Sequence, residues 1–201
     1  NNGTVTSQIG GASLLINDSS VFNNNGIYRF QGGDVISRNS GPGTFNNTGE
    51  MEVGGAFTAN FNNVAFFNTG GTIDGGAGTL NLNAGGTYTG NLTVGGANVR
   101  MNAGTHSLAD GVTVNGILNV TGGTASFGSV TANGLVNYSA GGFNVTAGDT
   151  LTLNAGMNWS SNTGISGPGA IALSAGQTLA MTGNFDHALS NVTFNNNGTM
   201  T

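Results

Sequence analysis

Paired glycines recur along this chain at Gly10-Gly11, Gly32-Gly33, Gly54-Gly55, Gly75-Gly76 and Gly95-Gly96. The interval is about 20–22 residues, within the range of solenoid and array repeats. Between the pairs lie short runs that alternate apolar and polar residues, such as Thr79-Leu80-Asn81-Leu82-Asn83 and Thr150-Leu151-Thr152-Leu153-Asn154. Such alternation is the mark of a strand with one buried face. Three short strands and three tight corners consume about 20 residues, so one interval is one coil of a parallel β-helix. The sequence therefore predicts an all-β chain of nine or ten coils, with residues 1–201 forming a single solenoid segment. A β-sandwich is the alternative, since turn signals every 8–12 residues also suit that architecture.

Composition supports a folded body without long helices. Glycine supplies 38 of 201 residues and proline only two, while 37% are apolar and sit at patterned positions. Asn115-Gly116 and Asp110-Gly111 are corner sequences of the kind that tolerate positive φ. No stretch combines a helical apolar period with good helix formers.

Charge excludes whole classes of partner. The chain has three cations, Arg29, Arg38 and Arg100, and a net charge of −5. Nucleic-acid binding needs a basic stripe to neutralise phosphates, so nucleic acid is excluded. An anionic membrane surface is excluded on the same ground, and no apolar run is long enough to span a bilayer as a helix. Cysteine is absent, so neither disulfides nor thiolate metal sites contribute.

A longer similarity overlies the short period. Phe57, Asn63, Val64, Phe66, Asn68 and Gly70 match Phe185, Asn191, Val192, Phe194, Asn196 and Gly198 at one constant offset, and Ser40-Gly41-Pro42-Gly43 matches Ser166-Gly167-Pro168-Gly169. The chain opens on Asn1-Asn2-Gly3-Thr4 and closes with Asn196-Asn197-Gly198-Thr199, which predicts that it starts and stops at one phase of a motif. The expectation is a segment excised from, or repeated within, a longer array.

Phe45 to Gly49, Gly78-Thr79-Leu80-Asn81-Leu82, Gly85 to Gly90, Met157-Asn158-Trp159 and Gly164 to Gly167 carry a family resemblance. They are similar to the degenerate repeats of autotransporter passengers and filamentous-haemagglutinin-like bacterial surface adhesins. The resemblance covers almost the whole chain, but its motifs encode coil geometry rather than a ligand, and the secretion motif of the haemagglutinin group is not present. It implies a right-handed parallel β-helix, export, and an extracellular or cell-surface location. The expected role is a non-catalytic structural or adhesive rod, whose partners are neighbouring repeats or copies of itself end to end, and host or matrix glycans. A carbohydrate-binding module, or a polysaccharide lyase or hydrolase of β-helix type, is the alternative.

The sequence assigns no catalytic, metal or cofactor residue. Glu50 and Glu52 share a strand face and are the nearest approach to the carboxylate pair of glycoside hydrolysis. The remaining acids stand singly, so these two read as a solvated face. Gly75-Gly76-Ala77-Gly78-Thr79-Leu80 resembles a calcium-binding nonapeptide but has Leu80 where that motif places an aspartate. His106 and His187 are too isolated for zinc and are expected at the surface. The Asn-x-Ser/Thr triplets at Asn46, Asn91, Asn119, Asn137, Asn144 and Asn191 read as composition. Alternation places Val64 and Phe66 inside and Phe67 outside, and Trp159 is expected exposed or at a corner. Thr4-Val5-Thr6, Thr87-Tyr88-Thr89 and Thr150-Leu151-Thr152 are the expected polymer-facing strands.

Overall fold

In the computed structural model, which describes residues 1–96 and 98–201, short strands wind into a three-sided stack. A first sheet of ten strands starts at Thr4–Ser7 and Ile27–Phe30 and ends at Thr193–Asn196. A second sheet of ten runs from Ser13–Leu15 to Thr199–Met200, and a third of nine runs from Val21–Asn24 to Leu189–Ser190. Each strand pairs with the strands three earlier and three later in the chain, so the path visits the sheets in strict rotation. All described pairings are parallel, as in Tyr28 on Val5 and Met51 on Tyr28, which rules out the sandwich. The result is a β-solenoid of nine full coils and part of a tenth, with no helix among the described residues.

The five glycine pairs all fall at one corner, between the first and second sheets. In the middle coils that corner shrinks to Asn115-Gly116 and Asn133-Gly134. Gly116 has φ 111°, and a Cβ there would lie 1.9 Å from the Val94 carbonyl oxygen of the coil before. Only glycine lets the turns stack that closely. Coil length follows the corners. Stacked partners are 23 residues apart at Asn24 and Asn47, 25 apart at Val35 and Asn60, 18 apart at Asn119 and Asn137, and 21 apart at Tyr138 and Trp159.

The inward residues of the alternating strands form one continuous core. Its early coils are aromatic: Tyr28, Phe30, Phe45, Phe61 and Phe66 interlock mostly edge to face, with Tyr28 and Phe30 centroids 5.0 Å apart. From Leu92 to Val136 the core is mostly aliphatic. Val64 and Phe66 point inward, and Phe67 is 41% exposed.

Trp159 corrects the expectation that it lies outside. It is buried, and in the corner after it Ser161 is buried as well. The indole N–H donates to the Thr163 carbonyl at 3.3 Å, and the Tyr138 hydroxyl contacts Thr163 Oγ1 at 2.5 Å. A polar aromatic is accommodated in a narrow core because the corner supplies its hydrogen-bond acceptor.

The long similarity keeps its local geometry but shifts its phase. Asn63 and Asn191 have φ of 56° and 57°, and each precedes an extended Val-x-Phe run. Yet Ala65–Thr69 lies in the third sheet and Thr193–Asn196 in the first. Likewise Asn1-Asn2-Gly3 turns into the first sheet, whereas Asn196-Asn197-Gly198 turns into the second. The opening and closing motifs therefore occupy different corners, contrary to the expected common phase.

Candidate functional site

Stacking gathers residues that the sequence keeps apart, first among them the carboxylates. Glu50 and Glu52 share the outer face of the first sheet, as alternation requires. The parallel register sets Arg29 beside Glu52 on one side and Asp74 beside it on the other. Arg29 Nε donates to Glu52 Oε1 in an ion pair. Partial burial raises the Glu50 carboxyl above the usual glutamate range; Glu52 and then Asp74 push it the same way, and Arg29 pulls it back. Two carboxyl groups side by side are the elements of acid–base chemistry, but Glu52 is already engaged by Arg29. The place of Asp74 beside this pair is not legible in the sequence, because it depends on register.

Asp74 also occupies the glycine-rich corner that resembles a calcium loop. Its Oδ1 accepts the Gly76 N–H at 2.7 Å, so the carboxylate closes its own turn. Leu80 faces the core. Among the described residues no group of three or more His, Cys, Asp or Glu is placed to hold a metal ion.

His106 is fully buried, a correction to its expected surface position. Gly86 and Ala125 stand beside it in the neighbouring coils and leave room for the ring. Its Nδ1 lies 2.9 Å from the Tyr88 hydroxyl and its Nε2 lies 3.0 Å from the Ala103 carbonyl. A carbonyl can only accept, so Nε2 carries the proton and Nδ1 accepts from Tyr88. Burial pushes the His106 pKa down to about 4, against the smaller upward pull of backbone carbonyls, and burial raises the Tyr88 hydroxyl. This couple locks two coils together in the neutral state. His187 instead lies half-buried in the corner after Thr178–Met181, packed edge-on against Trp159 with centroids 4.9 Å apart.

Asn24, Asn47 and Asn68 form a second inward polar feature, each fully buried on the third sheet. Asn1 Nδ2 donates to Asn24 Oδ1 at 2.8 Å, Asn24 to Asn47 at 2.7 Å, and Asn47 to Asn68 at 2.7 Å. The second N–H of each amide reaches a backbone carbonyl of the next coil, at Ile27, Glu50 and Thr72. The column ends where Tyr88 follows Asn68 in register. Asp34 contrasts with it: the side chain is fully buried at the glycine-pair corner, and neither carboxylate oxygen has a hydrogen-bond partner.

The expected polymer face is corrected. Thr4–Ser7 and Thr150–Leu153 belong to the first sheet, at opposite ends of the stack, and Gly86–Thr89 to the third, so the three Thr-x-Thr strands do not form one face. The regular polar array lies on the second sheet. There Asn158 Nδ2 donates to Asn137 Oδ1 and Asn137 Nδ2 to Asn119 Oδ1, both at 2.9 Å. Arg100 continues that row in register, and a row of Thr121, Ser139 and Ser160 runs beside it. The two rows line a groove of about 790 Å³. Of the glycosylation-type triplets, Asn119 is buried and Asn137 is tied into this ladder.

No protein-family profile, no curated protein and no solved structure matches this chain. The geometry alone defines its class: a parallel β-solenoid repeat protein.

Proposed function

We propose that this chain is a non-catalytic rod segment of a bacterial cell-surface or extracellular adhesin. The observation that carries the reading is the uninterrupted three-sheet stack, which gives a shaft with three long faces. Its stability accumulates from neighbour to neighbour. The similarity of its degenerate repeats to autotransporter-passenger and haemagglutinin-like proteins supports the surface assignment.

End-to-end association with neighbouring repeats or further copies is part of this reading. Val5, Leu14 and Phe22 are only partly buried at one end. At the other end Leu189 and Met200 are 44% and 41% exposed. Open strand edges with apolar neighbours template further strands, and a contact of this kind that does not close on itself gives a filament. Light scattering and electron microscopy over a concentration series test it, with rods lengthening as concentration rises. Single-length rods at every concentration would remove self-stacking from the reading. Clumping of beads coated with the chain tests adhesion.

Carbohydrate binding is the second reading, favoured by the polar groove on the second sheet.

A further inference from the structure

We infer that the groove on the outside of the second sheet binds a linear, largely neutral polysaccharide carrying widely spaced carboxylates, with one carboxylate held by Arg100. The inference rests on the carbohydrate-binding reading and deepens it, and it does not depend on the rod reading. A shaft that binds no glycan is still a shaft, and a glycan-binding chain need not assemble.

The lining sets the chemistry. None of the nine groove residues is acidic, apolar or aromatic. That rules out an apolar peptide as the natural occupant and leaves hydrogen bonding as the means of recognition. The two rows offer complementary halves of a bond. The Ser139 and Ser160 hydroxyls donate back to the carbonyls of Val120 and Tyr138 at 3.5 Å, and that of Thr121 donates to Asn102 Oδ1 at 3.2 Å and the Met101 carbonyl at 3.3 Å. Their oxygen lone pairs remain as acceptors. In the neighbouring row one N–H of Asn137 and one of Asn158 is committed to the ladder, and a carboxamide has two. A sugar hydroxyl both donates and accepts, so it can bridge the rows. Coils repeat at ~4.8 Å, close to the length of one pyranose unit, so successive rings meet equivalent groups. The ladder fixes the amides in advance, which lowers the ordering cost of binding.

Charge narrows the ligand further. Arg29 is paired with Glu52, and Arg38 donates to the Gly41 carbonyl at 2.9 Å. Arg100 is exposed and, among the described residues, has neither an ion-pair nor a hydrogen-bond partner. A guanidinium fork of this kind matches a carboxylate. One free cation on a chain of net charge −5 cannot hold a polymer charged at every ring, because the protein repels it. A sparse acid on a neutral backbone satisfies both conditions.

Affinity gel electrophoresis of the intact chain tests this with three probes: glucuronoxylan, the same polymer with its carboxyl groups reduced to alcohols, and polygalacturonate. Retardation should be strongest in glucuronoxylan. Carboxyl reduction or Arg100→Gln should each weaken binding about tenfold, the worth of one charge-assisted contact. Arg38→Gln, outside the groove, should leave it unchanged, and Asn158→Val should weaken it less than Arg100→Gln. Equal retardation by the reduced polymer, stronger retardation by polygalacturonate, an unaffected Arg100→Gln variant, or no retardation in any gel would each overturn the inference. Circular dichroism of the Arg100→Gln variant separates loss of binding from loss of fold.

Discussion

Two asparagine ladders run along this molecule, and they are made of the same bond in different surroundings. Asn24, Asn47 and Asn68 stack inside the early coils, where every donor must find a protein acceptor. Asn119, Asn137 and Asn158 stack on the outer face of later coils, beside a groove open to water. Bond lengths differ by only 0.2 Å, 2.7 Å inside and 2.9 Å outside. What separates the ladders is the cost of breaking them. A buried amide left unpaired loses its solvation, whereas an exposed one turns to water. The inner ladder therefore constrains the fold, and the outer one leaves capacity for a ligand.

The sharpest test of that contrast is Asn47→Leu. It strands the Asn68 Oδ1 acceptor and one Asn24 donor in the core, so a loss of about 4 kcal/mol is expected by urea denaturation. A loss near zero would erase the distinction between the ladders.

Acid probes the next buried polar site along the stack. His106 titrates near its ordinary value of 6.5 when unfolded and at about 4 when folded. Between those values the unfolded chain binds more protons. Stability is thus complete above about pH 6.5 and lost as pH falls through 4, by about 3 kcal/mol in all. A protonated Nδ1 can no longer accept from Tyr88. Melting temperature against pH should show this fall, and a His106→Gln variant should flatten it.

A gain is expected at Asp34, which has the burial of the inner ladder without its partners. Asp34→Val removes two unsatisfied buried oxygens and should raise stability by about 1–2 kcal/mol at pH 7. Unchanged or reduced stability would mean that the carboxylate is serving the corner in some other way. Smallest of all is Asn137→Val, expected to cost under about 1 kcal/mol.

Local geometry was legible in the sequence because it is encoded locally. Thr79-Leu80-Asn81-Leu82 alternates inward and outward as written, Phe66 and Phe67 part to opposite sides, and the glycine pairs mark one corner. Neighbours across coils were not legible, because the coil length drifts between 25 and 18 residues. No fixed period places Asp74 beside Glu52 or Tyr88 beside His106. The same drift moves the long similarity from the third sheet to the first. The burial of Trp159 was not legible because its acceptor, the Thr163 carbonyl, comes within reach only once the following corner has folded.

Parallel stacking has a mechanical corollary. The bonds between coils lie along the shaft, so a pull on its two ends loads the coils in series, and the terminal coil takes the tension before the next is disturbed. Each coil that lets go releases 18 to 25 residues, about 60–85 Å of slack at ~3.4 Å per residue. A stretched shaft of this kind lengthens in steps. It works as a shock absorber that yields one coil at a time and rewinds against the coil still standing.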